Sequence, residues 1–359
     1  MSKIVLSGGG TLGPVAPLLA IYESYKREHI EAEFIWVGTK TGPEKELVEK
    51  YGIKFFALTS GKFRRYFSLA NLFDPFKIVA AFFEAVFFLR QEKPQLVISA
   101  GGYVSVPLHL AAVCLGIPQW VHQQDLRPGL ANKIMARFAN KITTALQASV
   151  KFYPAKKTDW LGNPVRDLSV DNAAAAKQRL GLSANQPIIF ALGGGTGAQG
   201  INKLILEALP VWPEDWQVVH LTGRGRAEDY TVKAAEVFKN YHPYTFFNEQ
   251  MRDAYAAADV VIARAGFATL TELASLKKAL VVVPMPDSHQ EDNAELLKQN
   301  NAAIMLNQQV DGGIKLAEVV KNLIEAPQQR LELGQKLFEI LPPADSRKIN
   351  RIIDGLVSR

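Results

Sequence analysis

The polar residues with the most specific spacing lie in the second half of the chain. A glycine turn at Gly266 leads into a helical pattern whose first turns carry Glu272. A carboxylate in that position can accept hydrogen bonds from two vicinal hydroxyls, such as those of a ribose. Further along, His289 and Gln290 offer donors and acceptors that suit the hydroxyls of a sugar. The pattern favours a nucleoside or sugar site, and the alternative is a helix cap followed by an ordinary polar loop.

Two glycine-rich turns could bind phosphate. Gly8–Gly13 follows the apolar run Lys3–Leu6, and Gly193–Ala198 follows the run Pro187–Leu192. Glycine lets main-chain N–H groups approach a phosphate closely, and the N-terminus of the following helix attracts negative charge. One such turn is equally well explained by tight packing of a strand against a helix. A pair that opens both halves of the chain in the same way favours a phosphorylated ligand.

The elements that would carry these residues alternate between short apolar runs and longer amphipathic stretches, which is typical of parallel sheets with helices on both faces. Because each half opens with a strand and a glycine turn, we predict an α/β protein made of two Rossmann-like domains. The boundary should fall between Asn163 and Pro187, with domains at 1–163 and 164–344 and a C-terminal helix at 345–359 packed back on the first domain. The expected strands are Lys3–Leu6, Ala32–Val37, Leu96–Ser99, Gln119–His122, Pro187–Leu192, Gln217–Leu221, Val260–Ala263 and Ala279–Val283.

The basic residues are concentrated in the first half of the chain. Residues 1–165 hold 20 Lys+Arg and 12 Asp+Glu, a net charge of +8, whereas the remainder holds 21 and 23, a net charge of −2. This imbalance favours an anionic partner, such as a nucleic acid, an acidic lipid or a phosphorylated substrate. Nucleic-acid-binding motifs and metal-ligand spacings are missing from the sequence, so we expect neither partner. The single cysteine, Cys114, lies in an apolar run and is expected to pack in the core.

An aromatic stretch at 69–90 is the candidate for membrane contact. Its apolar part, Ile78–Leu89, is interrupted by Glu84 and is shorter than the roughly 20 residues that span a bilayer, so we expect no transmembrane helix. One apolar stripe can serve the core while the surplus enters the headgroup region of an anionic membrane. The alternative is a helix buried on two sides. The flanking basic residues are Lys62, Arg64, Arg65, Lys77 and Arg90.

Taken together, these motifs resemble the MurG family, the lipid-linked N-acetylglucosaminyltransferases of peptidoglycan synthesis. The resemblance covers nearly the whole chain, and its motifs are Gly8–Gly13, Gly101–Ser105, His122–Asp125, Gly162–Arg166, Gly193–Ala198 and Gly266–Asn293. It implies the GT-B fold, in which two Rossmann-like domains with parallel sheets face an interdomain cleft. The donor would bind the C-terminal domain and the acceptor the N-terminal one.

The activity that the resemblance implies is an inverting transfer of N-acetylglucosamine (GlcNAc) from UDP-GlcNAc to the C4 hydroxyl of undecaprenyl-diphospho-muramoyl-pentapeptide. The lipid I acceptor would thereby become lipid II, without a cofactor or a metal. The expected location is peripheral, at the cytoplasmic face of the cell membrane, in contact with its anionic surface.

The same resemblance assigns candidate residues to each substrate. Glu272 would hold the ribose hydroxyls, and His289 and Gln290 would contact the donor sugar. The remaining donor residues are Phe247 and Asn248 at the uracil, Arg166, Gly195 and Thr196 at the diphosphate, and Phe267 and Ala268 at the start of the helix that carries Glu272. The acceptor residues are Thr11 and Gly13 at its diphosphate, and Tyr103 and Asp125 at its sugar.

Three motifs depart from the family pattern. Pro14 stands where the family has a histidine that is often assigned as general base, and proline cannot take a proton. The family's His-Glu-Gln-Asn is here His122-Gln123-Gln124-Asp125, and Gly195 replaces a serine with the hydroxyl moved to Thr196. We therefore hypothesise that Asp125 is the catalytic general base, with His122 as second candidate. Asp125 could instead cap the following helix, and His122 could be an internally bonded histidine.

Other functions remain open at this point. A related UDP-sugar transferase could use another lipid acceptor, such as diacylglycerol. UDP-GlcNAc 2-epimerases share the scaffold but lack the acceptor loop Gly101–Ser105. A donor-binding scaffold with impaired catalysis is the third alternative, because Pro14 removes the family's base.

Overall fold

The computed structural model describes residues 2–59, 70–194, 197–223 and 229–358. The chain forms two compact units. The first comprises Met1–Arg166 together with Pro343–Arg359, and the second comprises Asp167–Pro342. The last helix therefore belongs to the first unit, although the whole second unit precedes it in the chain.

The first unit is built on a parallel sheet of seven strands, as far as the structure describes the chain. Its strands are β1 (Lys3–Ser7), β2 (Glu33–Thr39), β3 (Lys54–Leu58), β4 (Leu96–Ser99), β5 (Gln119–Gln123), β6 (Lys141–Thr144) and β7 (Thr158–Trp160). Its α-helices are α1 (Val15–Glu28), α2 (Glu44–Lys50), α3 (Ala70–Glu92), α4 (Ser105–Cys114), α5 (Leu130–Phe138) and, at the end of the chain, α14 (Ser346–Val357).

The second unit has a parallel sheet of six strands within the same described ranges. They are β8 (Ile188–Leu192), β9 (Gln217–Leu221), β10 (Tyr241–Tyr244), β11 (Val260–Ala263), β12 (Leu280–Val282) and β13 (Ile304–Met305). The helices are α6 (Ala173–Arg179), α7 (Gln199–Ala208), α8 (Asp229–Val237), α9 (Gln250–Ala257), α10 (Phe267–Ser275), α11 (His289–Gln299), α12 (Gly313–Glu325) and α13 (Pro327–Ile340).

Both sheets have the doubly wound order that creates a ligand crevice. The strand orders are β3-β2-β1-β4-β5-β6-β7 and β10-β9-β8-β11-β12-β13. The order therefore reverses at β1 in the first unit and at β8 in the second. Ligands of such sheets bind beyond the carboxyl ends of the strands at this switch point. The two predicted glycine turns follow β1 and β8, and the predicted α/β fold with two parallel sheets is confirmed.

The strands are buried on both faces because helices cover each side of the sheet. Along β1, Ile4 and Leu6 pack with α1 and α14, whereas Val5 packs with α3 and α4, as the two-residue period of a strand requires. The C-terminal helix α14 is fixed by apolar packing and by a hydrogen bond from Tyr25 Oη to Asp354 Oδ1 at 2.9 Å. Such continuous burial explains why the strands appear in the sequence as uninterrupted apolar runs.

Basic side chains cap the carboxyl ends of several helices. Lys157 Nζ donates to the carbonyl oxygens of Arg137 and Ala139 at the end of α5. Lys278 Nζ donates to carbonyl oxygens at the end of α9, and Arg330 Nη1 donates to carbonyl oxygens at the end of α12, over distances of 2.6–2.9 Å. The last carbonyls of a helix lack partners within the helix and carry its partial negative charge, so a cation there stabilises the end. Burial at α9 lowers the pKa of Lys278 to about 8.

Helix α3 is buried on one side and exposed on the other. Ala81 and Ala85 face the sheet, whereas Val79, Phe83 and Phe87 are 55%, 65% and 72% exposed. The alternative of a helix buried on two sides is therefore wrong for this part of α3. Within the described part of the chain, no helix has the length and apolarity to cross a membrane. The predicted basic residues Lys62, Arg64 and Arg65 lie outside the described residues.

The prediction that Cys114 packs in the core is wrong. Its side chain is exposed at the last residue of α4. Leu108, Ala111 and Ala112 form the buried side of this helix. Cys114 and its neighbour Val113 are exposed and lie on the other side of the helix.

Candidate functional site

Three of the four motifs in the first unit lie at the carboxyl ends of three neighbouring strands, and the fourth, Gly162–Arg166, follows the edge strand β7. The first glycine turn follows β1, Gly101–Ser105 follows β4, and the segment ending in Asp125 follows β5. The first two loops touch so closely that only glycine fits. A Cβ atom on Gly10 would lie 2.6 Å from Cε1 of Tyr103, and one on Gly102 would lie 3.1 Å from the Gly9 carbonyl oxygen. Both glycines also have positive φ angles, +80° and +95°, which other residues rarely adopt.

The side chain of Gln124 connects the three loops. Its Nε2 donates to the carbonyl oxygen of Gly13 at 3.2 Å and to that of Ala100 at 3.5 Å. Both neighbours are acceptors, so only the NH₂ end of the carboxamide can face them. The loop that carries Asp125 is thus bonded directly to the residue that precedes Pro14.

Glu44 is a residue of this site that sequence reasoning missed. Its carboxylate is fully buried and accepts hydrogen bonds from Thr39 N at 2.7 Å, Thr39 Oγ1 at 2.5 Å and Gly10 N at 3.2 Å. The Gly10 N–H, one of the main-chain donors of the first glycine turn, is therefore already bonded to a carboxylate. Pro14 and Pro17, at the start of α1, have no N–H to offer. The first glycine turn thus has fewer phosphate donors than its glycine content suggests, although Thr11 and Gly13 are exposed as an acceptor site requires.

The loop of Asp125 is held through its main chain. Gln123 Nε2 donates to the Asp125 carbonyl oxygen at 2.8 Å, and Ser149 Oγ donates to that of Leu126 at 2.8 Å. The Asp125 side chain is half-buried. The N-cap of α5 is Gly129, so Asp125 does not cap this helix and that alternative is excluded.

The structure corrects the prediction that His122 is a second candidate base. His122 is fully buried, with Nδ1 2.8 Å from Thr143 Oγ1 and Nε2 2.9 Å from Asn163 Oδ1. Because an amide oxygen can only accept, Nε2 carries the proton and Nδ1 accepts from the threonine hydroxyl. Burial also lowers the pKa of His122 to about 4. Both ring nitrogens are occupied, so His122 is a structural residue that holds β5 against β6.

The motifs of the second unit also follow three neighbouring strands, β8, β11 and β12. After β8, Gly197 has φ +73°, and a Cβ atom there would lie 2.5 Å from the Thr222 carbonyl oxygen. The second glycine turn therefore packs closely against the main chain at the end of β9. The predicted diphosphate residues Gly195 and Thr196 lie outside the described residues.

Arg264 connects the other two loops of the second unit, and sequence reasoning did not single it out. Its Nη1 donates to the carbonyl oxygens of Val283 at 3.0 Å and Pro284 at 2.8 Å, and its Nη2 donates to Gln308 Oε1 at 2.7 Å. Asn293 Nδ2 adds a bond to the Ala265 carbonyl oxygen at 3.2 Å. The loop after β11 is thereby fixed to the loop after β12 and to the start of α11.

Glu272 lies on the second turn of α10 and is 8% exposed. Its Oε2 accepts a hydrogen bond from Tyr255 Oη at 3.0 Å. At the start of the same helix, the Phe267 side chain is buried and Ala268 is half-buried. Contact between a ligand and Phe267 therefore falls to its peptide group rather than its ring. The carboxylate predicted to hold a diol is thus present on a rigid helix, with a hydroxyl bonded to it.

The segment of His289 and Gln290 forms the first turn of α11. Ser288 Oγ accepts from Gln290 N at 3.2 Å, and Gln290 Oε1 accepts from Met285 N at 3.1 Å. The second bond leaves the carboxamide nitrogen of Gln290 as the end that can donate to a ligand. His289 is exposed beside it. Asp287, with φ +56°, makes the turn that brings the chain into the helix.

The remaining predicted donor residues that the structure describes are Phe247, Asn248 and Arg166. The ring of Phe247 is buried and lies 4.7 Å from that of Tyr244 and 6.5 Å from that of Phe190, measured between centroids. The ring belongs to an interior aromatic cluster, so the predicted contact of Phe247 with uracil would fall to its peptide group. Asn248 is exposed, and Arg166 is half-buried at the last residue of the first unit before the chain enters the second.

No group of three or more His, Cys, Asp or Glu side chains is placed to hold a metal ion among residues 2–59, 70–194, 197–223 and 229–358. The polar side chains of both units instead bond to loops, helix ends and one another. The two loop sets stand on equivalent strands of two similar sheets, at the edge where doubly wound sheets bind their ligands.

Comparison with known proteins identifies the family. Residues 4–144 match the glycosyltransferase family 28 N-terminal domain, and residues 188–341 match the glycosyltransferase family 28 C-terminal domain. The chain belongs to glycosyltransferase family 28.

Individual relatives of the chain have names that are more specific than the name of the family. The chain is 38% identical to UDP-N-acetylglucosamine--N-acetylmuramyl-(pentapeptide) pyrophosphoryl-undecaprenol N-acetylglucosamine transferase of Lachnospira eligens, over 86% of this chain and 87% of the relative. It is 36% identical to the protein of the same name from Staphylococcus aureus, over 94% and 95%. The crystal structure of Acinetobacter baumannii MurG matches with a TM-score of 0.76 and 28% identity, over 99% of this chain and 100% of that one.

A UDP-N-acetylglucosamine 2-epimerase also matches in structure, with a TM-score of 0.66 over 99% of this chain and 96% of that one. At 15% identity this likeness concerns the fold alone.

Proposed function

We propose that this chain transfers GlcNAc from UDP-GlcNAc to the C4 hydroxyl of undecaprenyl-diphospho-muramoyl-pentapeptide, which converts lipid I to lipid II. The observation that carries the proposal is the position of the motifs. Three motifs of the first unit, and all motifs of the second, follow three neighbouring strands at the switch point of the sheet, where a doubly wound fold binds its ligand. The names of the relatives at 36–38% identity support the same activity.

The donor is assigned to the second unit. Glu272 would accept hydrogen bonds from the ribose hydroxyls, and the carboxamide nitrogen of Gln290 would donate to the sugar, beside His289. Asn248 would contact the uracil, since its side chain is exposed. Further proposed donor contacts in this unit are Gly195 and Thr196 at the diphosphate and the peptide groups of Phe267 and Ala268. Arg166, which directly precedes the unit in the chain, is the remaining proposed contact of the diphosphate.

The acceptor is assigned to the first unit, with Thr11 and Gly13 at its diphosphate and Tyr103 at its sugar. Asp125 is the proposed general base. The C4 oxygen would form a bond to the anomeric carbon while the bond from that carbon to the UDP oxygen breaks, and the C4 proton would pass to the Asp125 carboxylate. Attack from the face opposite the departing UDP inverts the anomeric centre. The Gln124 bond to Gly13 supports this assignment, because it joins the Asp125 loop to the turn where the family's histidine would stand.

A membrane surface is the proposed partner of α3. Val79, Phe83 and Phe87 recur every four residues and form one exposed apolar stripe, with exposed Lys77 and Arg90 near its two ends. Burial of such side chains contributes about 1.5–3 kcal/mol each, and a basic residue near anionic lipid adds about 1 kcal/mol. The stripe would hold the first unit at the cytoplasmic face of the membrane, where a lipid-linked acceptor is presented.

One assay separates this function from its alternatives. Purified protein is incubated with UDP-GlcNAc and either a lipid I analogue or diacylglycerol, and the products are separated by chromatography. We expect disaccharide product from the lipid I analogue alone. Product from diacylglycerol alone would reassign the acceptor, and UDP-N-acetylmannosamine formed without an acceptor would indicate an epimerase. UDP-GlcNAc binding without turnover on either acceptor would favour the donor-binding scaffold.

A further inference from the structure

A buried hydroxyl lies against the carboxylate that we assign to the ribose. Tyr255, on α9, donates from Oη to Oε2 of Glu272, on α10, over 3.0 Å. Tyr255 is 1% exposed and Glu272 is 8% exposed. The two helices are separate elements of the second unit, so this bond is a tertiary contact rather than a feature of one helix.

The position of Tyr255 is fixed from both sides along α9. Two residues before it, Asp253 forms a two-pronged pair with Arg179, with Nε to Oδ2 at 3.0 Å and Nη2 to Oδ1 at 2.6 Å. One residue after it, the carbonyl oxygen of Ala256 accepts from Lys278 Nζ at 2.9 Å. Two-pronged arginine–carboxylate pairs and helix caps define geometry as well as energy. The phenol is therefore presented to Glu272 by a helix that is held at its middle and at its end.

The orientation of a carboxylate decides how well it binds a diol. To accept from two vicinal hydroxyls, the carboxylate plane must be turned toward both of them at once. A side chain that can rotate loses that alignment and must be ordered when the ligand binds, which costs conformational entropy. A hydrogen bond from a rigid neighbour fixes the plane before binding. Tyr255 is placed to do this for Glu272.

We propose that Tyr255 is a positioning residue for Glu272 and that its hydroxyl increases the preference of the donor site for nucleotides with both ribose hydroxyls. The inference rests on the proposed function, in which Glu272 binds the ribose. A site built to bond a ligand hydroxyl discriminates strongly against an analogue without it, because the buried polar group then loses its partner. The effect of Tyr255 should depend on those hydroxyls, whereas a purely structural role should not.

The test compares two nucleotides by isothermal titration calorimetry. Wild-type protein and Tyr255→Phe are titrated with UDP and with 2′,3′-dideoxyuridine diphosphate, which lacks both hydroxyls. We expect the Kd for UDP to rise about 10-fold in Tyr255→Phe, as is typical for loss of a hydrogen bond to a charged group. The Kd for the dideoxy nucleotide should change by less than about twofold, because that ligand does not use the positioned carboxylate.

A matched control removes a buried tyrosine hydroxyl elsewhere in the same unit. Tyr241 is buried and its Oη lies 2.8 Å from Nδ1 of His220, in the interior of the second unit. Tyr241→Phe should leave the Kd of both nucleotides unchanged. Steady-state kinetics add a second readout, in which Tyr255→Phe raises the KM for UDP-GlcNAc about 10-fold with little change in kcat.

The double variant Tyr255→Phe/Glu272→Gln completes the test. If Tyr255 acts through Glu272, the loss in the double variant equals that of Glu272→Gln alone. Equal weakening of both nucleotides by Tyr255→Phe, or additive losses in the double variant, would overturn the positioning role while wild-type UDP binding leaves the proposed function standing. Failure of the wild-type protein to bind UDP would instead overturn the proposed function and this inference with it.

Discussion

Replacement of Asp125 by asparagine tests the proposed chemistry directly. The substitution keeps the shape of the side chain and removes its ability to accept a proton. Gln123 and Ser149 bond to the main-chain oxygens of Asp125 and Leu126, and these two bonds persist when the carboxylate becomes an amide. The melting temperature of the variant separates a loss of general-base catalysis from a loss of structure.

The expected fall in kcat follows from the role of Asp125 as general base. A positioned base contributes about 10²–10⁴-fold to a rate, so kcat of Asp125→Asn should fall by at least about 100-fold, or about 2.7 kcal/mol in activation free energy. The KM for the acceptor should stay within about threefold, because an amide of the same shape can still bond a sugar hydroxyl. The measurement is UDP release with UDP-GlcNAc and a water-soluble lipid I analogue, together with the melting temperature of each variant.

The control for this experiment is Asp159→Asn. Asp159 is an exposed carboxylate on the edge strand β7 of the same unit, where it pairs with Lys141. An exposed pair of this kind contributes about 0–1 kcal/mol, so activity and stability should be nearly those of wild type. A wild-type kcat in Asp125→Asn would refute the assignment of Asp125 as base. A rise in KM with kcat unchanged would reduce Asp125 to an acceptor-binding residue.

Three further predictions concern membrane contact, the first glycine turn and acid stability. Serine at both Phe83 and Phe87 should abolish co-sedimentation with anionic vesicles yet preserve turnover of a water-soluble acceptor, because the exposed stripe of α3 is lost and the site is not. Glu44→Gln should lower the free energy of unfolding by about 1–3 kcal/mol in urea titrations, since an NH₂ group would face a donor in place of a carboxylate oxygen. Burial lowers the pKa of His122 to about 4 and of His220 to about 3, so the unfolded chain binds more protons below pH 6.5. The free energy of unfolding should therefore fall by about 1.4 kcal/mol per pH unit for each histidine between pH 6.5 and 4, with a smaller slope in His122→Gln.

The fold class could be predicted from the sequence because its signal is local. Each strand is a short run that must be apolar on both faces, and each glycine turn is adjacent to its strand in the chain. The strand-to-helix alternation therefore places Asp125 directly after one strand, and Glu272 on the helix that follows another, without knowledge of any long-range contact. The two sheets and the positions of the motifs on them agree with that reasoning.

The residues that support the site could not be predicted in the same way. Glu44 is one of several glutamates in a charged stretch, and its bond to Gly10, 34 residues earlier, is a contact that local spacing does not predict. The role of His122 depends on Asn163, 41 residues later. Whether such a side chain is buried and bonded or exposed and reactive is decided by which strands become neighbours. The spacing of residues along the chain does not indicate which strands become neighbours.

The departures around Asp125 are physically linked. In the family pattern a glutamate stands at the position of Gln123 and an asparagine at that of Asp125, so the carboxylate and the amide have exchanged places. Gln123 Oε1 accepts from Asn132 Nδ2 at 2.7 Å and from Tyr153 Oη at 2.9 Å, while its Nε2 donates to the Asp125 carbonyl oxygen. A carboxylate at that position could accept both bonds but could not donate the third. The amide of Gln123 therefore holds the loop that carries the Asp125 carboxylate. Where the family has a histidine this chain has Pro14, and the loop of Asp125 is hydrogen-bonded to the turn that contains Pro14.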